Sequence, residues 1–403
     1  MYPTLYHALL DLTGIDLVGL KFLNSFGFFV ALGFLAAYLM LASELRRKTA
    51  QGLLKPTRRT IVIGGPAAPG ELVLQGLVGF LIGWKGLYLL FNLAETTQDP
   101  PAFLLSGKGS FLGGIAVAAL FIWLLWRDKQ KQRKAEPETR VVTMAAVEHA
   151  GNITMTAAIW GFIGAKVFSW FEGAGDFSWT AFTAWFAHPI DHLRAIRAAD
   201  IVSGLTMYGG LIVAGIMVMR YFRKHGLAFW PSVDAAAPGV LLAYGIGRLG
   251  CQVSGDGDWG IVNNAPAPSW MPRWLWSYDY PNNVNNAGVE MLTGTRFEGY
   301  GHHLPEPVFP TPLYEVIACV LLFAVLWKLR KRIATPGIMF CLFLVFDGVE
   351  RFLIEKIRVN KLLIGSWTQA EVISLVLTIG GLFGIWWFTK NKKKTHGPAE
   401  AHG

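Results

Sequence analysis

The chain has 403 residues, of which 53% are hydrophobic and 16% are charged, with a formal net charge of +9. Soluble domains carry about 25% charged residues, so this composition argues against a soluble protein and favours a polytopic membrane protein. The basic residues lie in short runs between apolar segments, a pattern typical of membrane topology rather than of nucleic-acid binding. We therefore expect contact with membrane lipids and none with nucleic acid.

A helix that crosses a membrane needs about 20 mainly apolar residues. The sequence predicts an all-α polytopic protein, because such segments recur along its whole length. Nine segments qualify, at about 26–43, 71–94, 111–126, 150–171, 207–222, 235–250, 312–328, 336–354 and 370–389.

The distribution of Lys and Arg predicts the topology of these helices. Five segments that alternate along the chain hold 23 basic residues: 46–59, 127–140, 220–224, 328–332 and 390–394. The four intervening loops hold only eight: 95–110, 173–206, 251–310 and 356–361. Because cytoplasmic loops carry the excess of Lys and Arg, we expect the N-terminus outside and the C-terminus in the cytoplasm.

Two of the predicted outer loops are long and rich in aromatic residues. Residues 172–206 contain several Trp and Phe, and residues 251–310 contain Trp270, Trp274 and Trp276. Aromatic side chains suit the headgroup layer of a membrane, so we expect a small extracytoplasmic cap that lies on it. The basic tail, 391–403, is predicted to be disordered.

The stretch GIGRLGCQVSGDGDWG places Arg248 after an apolar segment and before a glycine-rich loop. One interpretation is an ordinary arginine anchor at the end of a helix. The other is a ligand site, because glycines such as Gly247 and Gly260 let a backbone approach a ligand closely. Asp256 and Asp258 would then orient the arginine, and this pattern alone leaves both interpretations open.

A second charged group lies in the stretch DGVERFLIEKIRVN, near the end of the eighth predicted helix. Arg351 and Glu355 are four residues apart and share one helix face, and Arg358 follows one turn later. These residues form either an interfacial ladder of ion pairs or an anion site. Two arginines on one face suit bidentate contact with a phosphate group.

Metal ligands are not predicted. His188 and His192 are four residues apart and His302 is next to His303, but no third ligand follows at a known spacing. The three cysteines, Cys251, Cys319 and Cys341, form no CxxC motif.

Four motifs occur in the order found in the prolipoprotein diacylglyceryl transferase family, which this chain resembles. They are YGGL at 208–211, GRLG at 247–250 followed by Gly260, FPTPLYE at 309–315, and RF-x-x-E-x-x-R at 351–358. Three weaker similarities are SFGFFVALGF at 25–34, GFIGAKVFSWFE at 161–172 and TQAEVIS at 368–374.

The resemblance also implies a domain organisation. The family usually has seven helices, and residues 46–145, with two predicted spans and two basic loops, have no obvious counterpart in it. We therefore expect a first core helix within 1–45, an inserted region at 46–145, the transferase core at 146–390, and the tail.

The resemblance implies a reaction in the bacterial inner membrane. The family transfers the diacylglyceryl group of phosphatidylglycerol to the thiol of the lipobox cysteine of a prolipoprotein signal peptide. A thioether forms and glycerol 1-phosphate is released, which is the first step of lipoprotein maturation. No metal or organic cofactor is implied.

The resemblance further implies roles for individual residues. Positive side chains would bind the phosphate and stabilise the leaving group, and a positive field would favour the thiolate of the substrate. The expected phosphate ligands are Arg248, Arg351 and Arg358, and Glu355 would orient them. Tyr208 and Tyr314 would donate hydrogen bonds or relay a proton, and Asp256 or Asp258 would accept the thiol proton. The lipid site would be lined by Gly209, Gly210, Gly247 and Gly260.

The sequence departs from the family pattern at four positions. Phe26 stands where many members have tyrosine, Tyr208 and Phe309 stand where many have histidine, and Cys251 stands where asparagine is usual. A catalytically inactive lipid-binding paralogue is therefore one alternative. A membrane transporter is another, although it predicts a continuous polar lining, whereas the polar residues here cluster near the outer ends of a few helices.

Overall fold

The computed structural model describes residues 1–97, 103–104, 106–134, 137–173, 176–190, 206–294, 296–359, 362–364 and 367–395. His192 lies outside these ranges, as do residues 174–175 and 191–205 of the predicted outer loop and residues 396–403 of the predicted tail. The described chain is mostly helical, as the composition predicts.

Each predicted span coincides with one long helix. The helices are α1 Ser25–Ala50, α2 Pro69–Phe91, α3 Phe111–Lys131, α4 Ala150–Ser169, α5 Met207–Lys224, α6 Phe229–Ser254, α7 Thr311–Leu329, α8 Ile338–Glu355 and α9 Gln369–Thr395. Shorter helical segments are Leu5–Thr13, Val18–Phe22, Leu93–Thr96, Ala146–His149, Trp179–Ala187 and Arg273–Trp276. Helix α9 includes the first five residues of the predicted tail.

Five of the nine long helices are long and apolar enough to cross a membrane by length and composition, namely α1, α2, α3, α7 and α9. The other four, α4, α5, α6 and α8, are 18 to 26 residues long. Their composition alone does not establish that they cross, because they carry more polar groups along their length. The polar ends of α6 and α8 form the site described below.

Four two-stranded antiparallel sheets complete the described secondary structure. Only the first, β1 with β2, is longer than three residues. The strands are β1 Thr57–Ile63, β2 Glu138–Met144, β3 Glu172–Gly173, β4 Asp176–Phe177, β5 Val289–Glu290, β6 His302–His303, β7 Leu362–Ile364 and β8 Trp367–Thr368.

The chain divides into two compact units. The larger, which we call the core unit, contains residues 1–55, 145–184 and 206–403. The smaller, which we call the hairpin unit, contains residues 56–144 and 185–205.

Helix α6 is the centre of the core unit, where it packs against α1, α7 and α8, while α4 pairs with α5 and α8 with α9. Glycines make these close approaches possible, because small residues let helix backbones meet in a membrane. At the α4–α5 crossing a Cβ atom on Gly164 would lie 2.6 Å from the Cβ of Val213, and one on Gly209 would overlap Phe168.

A buried aspartate joins the second turn of α6 to the start of α8. Asp234 accepts hydrogen bonds from the backbone N–H groups of Gly337 (2.8 Å) and Phe340 (2.9 Å). It thereby satisfies N–H groups that the first turn of a helix leaves without intrahelical partners. Lys48 of α1 lies 3.5 Å from the same carboxylate.

The segment between α6 and α7 folds around a small apolar cluster. Tyr280, Leu304 and Val308 form its buried part, and Trp259 packs against it. The segment Leu5–Thr13 contributes His7, which is buried, lies 2.9 Å from the Thr4 hydroxyl through Nδ1, and stacks on Phe297.

The hairpin unit is a pair of helices joined to a two-stranded ribbon. Helices α2 and α3 pack through Gly79 and Gly83, where added Cβ atoms would collide with the backbone of α3. Strands β1 and β2 pair over seven residues, from Thr57 opposite Met144 to Ile63 opposite Glu138.

Candidate active site

Three arginines and three carboxylates meet where α6 and α8 end and where α7 and α9 begin. Helix α6 supplies Arg248, the loop after it supplies Asp258, and the first turn or two of α7 supplies Glu315. Helix α8 and the residues after it supply the other three. We call this set the arginine cluster: Arg248, Arg351, Arg358, Asp258, Glu315 and Glu355.

Glu315 is the carboxylate on which all three arginines converge. Its side chain is 0% exposed. One oxygen lies 2.6 Å from Nε of Arg248 and 3.7 Å from Nη1 of Arg351, and the other lies 3.3 Å from Nη1 of Arg358. The Tyr244 hydroxyl also donates to this carboxylate. A buried charge needs such partners, so Glu315 and the arginines hold one another in place.

Arg248 is buried, and its Nε and Nη1 both have partners. It pairs with Asp258 and Glu315, and its Nε donates to the Tyr244 hydroxyl at 3.2 Å. Its Nη1 lies 3.8 Å from the sulfur of Cys251. These contacts fix the orientation of the planar guanidinium and surround it with negative charge.

Asp258 links Arg248 to the chain that follows α8. Its second oxygen accepts from Nη2 of Arg358 at 2.8 Å, and its backbone carbonyl accepts from the Thr311 hydroxyl at 2.8 Å. Gly260 forms a bridge with Arg358, and a Cβ at Gly260 would lie 2.5 Å from the Ile357 carbonyl. Glycine is therefore required at 260 for this close backbone approach.

Arg351 keeps two buried nitrogens, Nε and Nη1, without a hydrogen-bond partner among the described residues, whereas Arg358 keeps one, Nε. The Nη2 of Arg351 lies 3.3 Å from Glu355, and Glu355 accepts from the Thr368 hydroxyl at 2.7 Å. The Tyr208 hydroxyl lies beside the Arg351 guanidinium and is likewise buried without a hydrogen-bond partner among the described residues.

The two aspartates of the glycine-rich loop have opposite electrostatic environments. Burial by itself would raise the pKa of Asp258, but the guanidiniums of Arg248 and Arg358 outweigh it and hold the pKa well below its usual value. Burial raises the pKa of Asp256, and the nearby charge of Asp258 raises it further. Paired carboxyl groups with separated pKa values are typical of acid–base sites.

Cys251, Asp256 and Asp258 bring three possible metal-ligand atoms within 4.8 Å of one another. The Arg248 guanidinium, however, already pairs with Asp258 and lies 3.8 Å from the Cys251 sulfur. The cation that these groups face is therefore an arginine. This arrangement fits an ion-pair network better than a metal site.

The remaining residues singled out in the sequence lie elsewhere. The Tyr314 hydroxyl donates to the Leu275 carbonyl at 2.7 Å, so it ties α7 to the outer segment rather than to the arginines. Gly209 and Gly210 pack against α4, which accounts for glycine at both positions, whereas a Cβ at Gly247 would meet nothing within 4 Å. His303 lies 3.6 Å from Asp279, a pair apart from the arginine cluster.

Two members of this network were not assigned roles from the sequence. Tyr244 lies one helical turn before Arg248, so its i,i+4 spacing was the available signal. Glu315 stood next to Tyr314 in a recognisable motif, but nothing in the motif indicates that three arginines meet there. Glu350 was also given no role from the sequence. Both of its carboxylate oxygens are buried without a hydrogen-bond partner in the described residues.

Comparison with known proteins identifies the family. The family model described as prolipoprotein diacylglyceryl transferase matches residues 110–387, which is more than half of the chain. The match runs from the start of α3 into α9 and includes the entire arginine cluster. It begins inside segment 46–145, the region with no obvious counterpart in the resemblance.

Curated relatives carry the name phosphatidylglycerol–prolipoprotein diacylglyceryl transferase. The chain is 31% identical to the Clostridium novyi protein over 209 residues, which covers 51% of this chain and 68% of that protein. It is 23% identical to the Gloeobacter violaceus protein over 340 residues, covering 83% and 98%. It is 30% identical to the Shouchella clausii protein over 182 residues, covering 44% and 57%. The chain therefore belongs to the prolipoprotein diacylglyceryl transferase family.

Proposed function

We propose that this protein is a phosphatidylglycerol–prolipoprotein diacylglyceryl transferase of the bacterial inner membrane. Its family and the names of its relatives support this activity over a transporter or an inactive paralogue. The thiolate of a lipobox cysteine attacks the glyceryl methylene carbon that bears the phosphate. A C–S bond forms, the C–O bond to phosphate breaks, and the electron pair leaves with glycerol 1-phosphate. The proton of the thiol passes to a carboxylate of the enzyme.

One observation carries the proposal: a buried arginine with unused donors next to a buried tyrosine hydroxyl. Arg351 keeps Nε and Nη1 without hydrogen bonds, and Tyr208 keeps its hydroxyl. Unsatisfied buried donors are costly, so they mark a place where a ligand supplies the acceptors. A lipid phosphate supplies acceptor oxygens in the planar arrangement that a guanidinium binds.

The three arginines expected to bind phosphate then have different roles. Arg351 donates to the phosphate and stabilises the charge that develops on the leaving group. Arg248, whose donors are held by Asp258, Glu315 and Tyr244, supplies positive potential and keeps the loop in position. Arg358 fixes Asp258 from the other side. Positive potential from these residues also favours the thiolate form of the incoming cysteine.

Asp256 is the better proton acceptor of the two loop aspartates. Its raised pKa makes it more basic than an ordinary carboxylate, which favours general-base catalysis near neutral pH. Asp258 is held as an anion by two arginines, and accepting a proton would break both ion pairs.

The proposal includes the topology predicted from the basic loops. Nine spans with the N-terminus outside place the arginine cluster at the outer ends of α6 and α8. The segment 251–310 then forms a cap on the outer surface, with its aromatic residues at the headgroups. A signal peptide that crosses the membrane would present its lipobox cysteine at this depth.

The direct test is to incubate the purified protein with labelled phosphatidylglycerol and a lipobox peptide, and to measure release of glycerol 1-phosphate. Arg351→Lys keeps the charge but removes the fork of donors, so we expect turnover to fall by about 100-fold or more. Arg296→Lys, in an exposed ion pair with Glu290, is the matched control and should be near normal. Equal rates for the two variants would remove Arg351 from the phosphate site.

A further inference from the structure

The ribbon formed by β1 and β2 is an isolated two-stranded sheet. It pairs seven residues on each strand, and no third strand joins it in the described chain. Most of its side chains are exposed. A two-stranded sheet is marginally stable in water unless something packs against it, so the ribbon needs a surface to cover it.

The ribbon carries a surplus of positive charge. Arg58, Arg59 and Arg140 are all exposed on it. Its one acidic residue, Glu138, is paired with Lys134 at 2.8 Å. The end of α3 adds Arg127, Lys129 and Lys131 close in sequence to the base of the ribbon. The surface that covers the ribbon is therefore expected to be negatively charged.

The base of the ribbon is joined directly to a pair of membrane helices. Strand β1 ends at Ile63, six residues before α2 begins, and β2 begins seven residues after α3 ends. The Lys134 N–H donates to the Gly64 carbonyl at 3.1 Å, which closes the base. Helices α2 and α3 are both long and apolar enough to cross a membrane. The ribbon base therefore lies at the level of the lipid headgroups.

One face of the ribbon also exposes apolar residues. The register places Thr60 opposite Val141 and Val62 opposite Thr139, so the two valines share a face with Arg58. Arg59 and Arg140 lie on the other face of the ribbon, so both faces carry positive charge. Val62 is 62% exposed and Val141 is 60% exposed. A face that combines small β-branched side chains with arginine matches the mixed polarity of a membrane interface.

We infer that this ribbon is a docking surface for anionic lipid headgroups. Three observations support this occupant: the ribbon is joined to α2 and α3, it exposes arginines, and it exposes valines beside them. Each Lys or Arg close to an anionic membrane raises the equilibrium constant for membrane binding by a factor of about five, and this effect falls off within a Debye length of the surface. Charge thus holds the ribbon against the bilayer surface at the ends of α2 and α3, independently of the chemistry at the arginine cluster.

The test measures how the ribbon approaches lipid. Thr60→Cys lies on the valine face and accepts an environment-sensitive fluorophore, whereas the three native cysteines are buried. The full-length labelled protein is placed in nanodiscs of phosphatidylcholine with 0 or 30% phosphatidylglycerol or phosphatidylserine. Quenching by aqueous iodide reports the exposure of the label. We expect both anionic lipids to reduce quenching at least three-fold, and high salt to restore it.

Two charge-reversal variants identify the residues responsible. Arg58→Glu with Arg59→Glu should abolish the lipid dependence while leaving quenching in phosphatidylcholine unchanged, which shows that the ribbon is still folded. Lys331→Glu with Arg332→Glu makes the same change of charge in a different basic loop and should behave like the parent.

The inference would be overturned if anionic lipid did not change quenching in the parent, if the control variant lost the lipid dependence equally, or if phosphatidylglycerol alone protected the label. Protection that appears only when a second protein is added would instead assign the ribbon to a protein partner and likewise overturn it. None of these readouts uses transferase activity, so failure here is distinguishable from failure of the proposed reaction.

Discussion

Glu315→Gln is the sharpest perturbation of the arginine cluster. The substitution keeps the shape of the side chain and removes the negative charge that Arg248 meets at 2.6 Å, Arg358 at 3.3 Å and Arg351 at 3.7 Å. Removing one partner of a buried ion pair costs about 3–5 kcal/mol, because the charges that remain are left uncompensated. Asp258 still pairs with two of the arginines and Glu355 with the third, so we expect the lower end of that range, about 3 kcal/mol.

The loss of stability is measured by chemical unfolding of the purified protein in a mild detergent. Glu290→Gln is the matched control, since it removes one charge from an exposed pair with Arg296. Exposed pairs contribute at most about 1 kcal/mol. If Glu315→Gln and Glu290→Gln lower the free energy of unfolding by the same small amount, the idea that Glu315 holds the arginines in place is wrong.

A double-mutant cycle separates the interaction from the cost of each change. Glu315→Gln and Arg358→Gln are measured singly and together. Residues within one ion-pair network usually show an interaction energy of about 0.5–3 kcal/mol. Strict additivity would mean that the two side chains do not stabilise each other, despite the distance of 3.3 Å.

Three further predictions concern catalysis, pH and packing. Asp256→Asn should lower kcat by about 100-fold or more, and the acidic limb of the parent pH profile, where the rate falls as Asp256 becomes protonated, should disappear. Burial, aided by Lys21, lowers the pKa of His7 from 6.5 to about 4. The N-terminal segment should therefore lose stability as the pH falls from 6.5 towards 4, because the unfolded segment binds the proton more readily. Hydrogen exchange in this segment should become faster over that pH range in the parent but not in His7→Gln. Gly209→Ala should destabilise the protein by about 1–3 kcal/mol in thermal unfolding because its Cβ overlaps Phe168, whereas Gly215→Ala, on the same helix with open space, should not.

The positions of the long helices followed from the sequence alone. Each predicted segment overlaps its helix, and most ends agree within a few residues; α5, predicted at 207–222, runs from Met207 to Lys224. Apolar length is a strong signal because each spanning backbone must satisfy its own hydrogen bonds. The sixth segment was predicted too short, at 235–250, whereas the helix runs from Phe229 to Ser254 and includes the polar residues Ser232 and Asp234. In the fold both are buried, and Asp234 receives backbone N–H groups of α8.

The components of the site were predicted from motifs, but their partners were not. Arg248, Arg351 and Arg358 stood in recognisable stretches, and the structure brings all three to one carboxylate. Tyr208 lies beside Arg351 in the structure, and its role in the reaction stays a prediction. Tyr314 was chosen for its neighbours in the sequence, yet its hydroxyl points to the backbone of the outer segment.

The sequence by itself determined that this is a multi-helix membrane protein and that it resembles one transferase family, because apolar length and ordered motifs are local properties of the chain. Only the tertiary structure decided that Glu315 joins the three arginines, that Arg351 keeps both Nε and Nη1 without hydrogen bonds among the described residues, and that Asp256 and Asp258 have opposite pKa shifts. Such facts depend on contacts between residues far apart in the sequence, such as Asp258 and Arg358, which are 100 positions apart. Charge and burial act through space, so no pattern along the chain contains them.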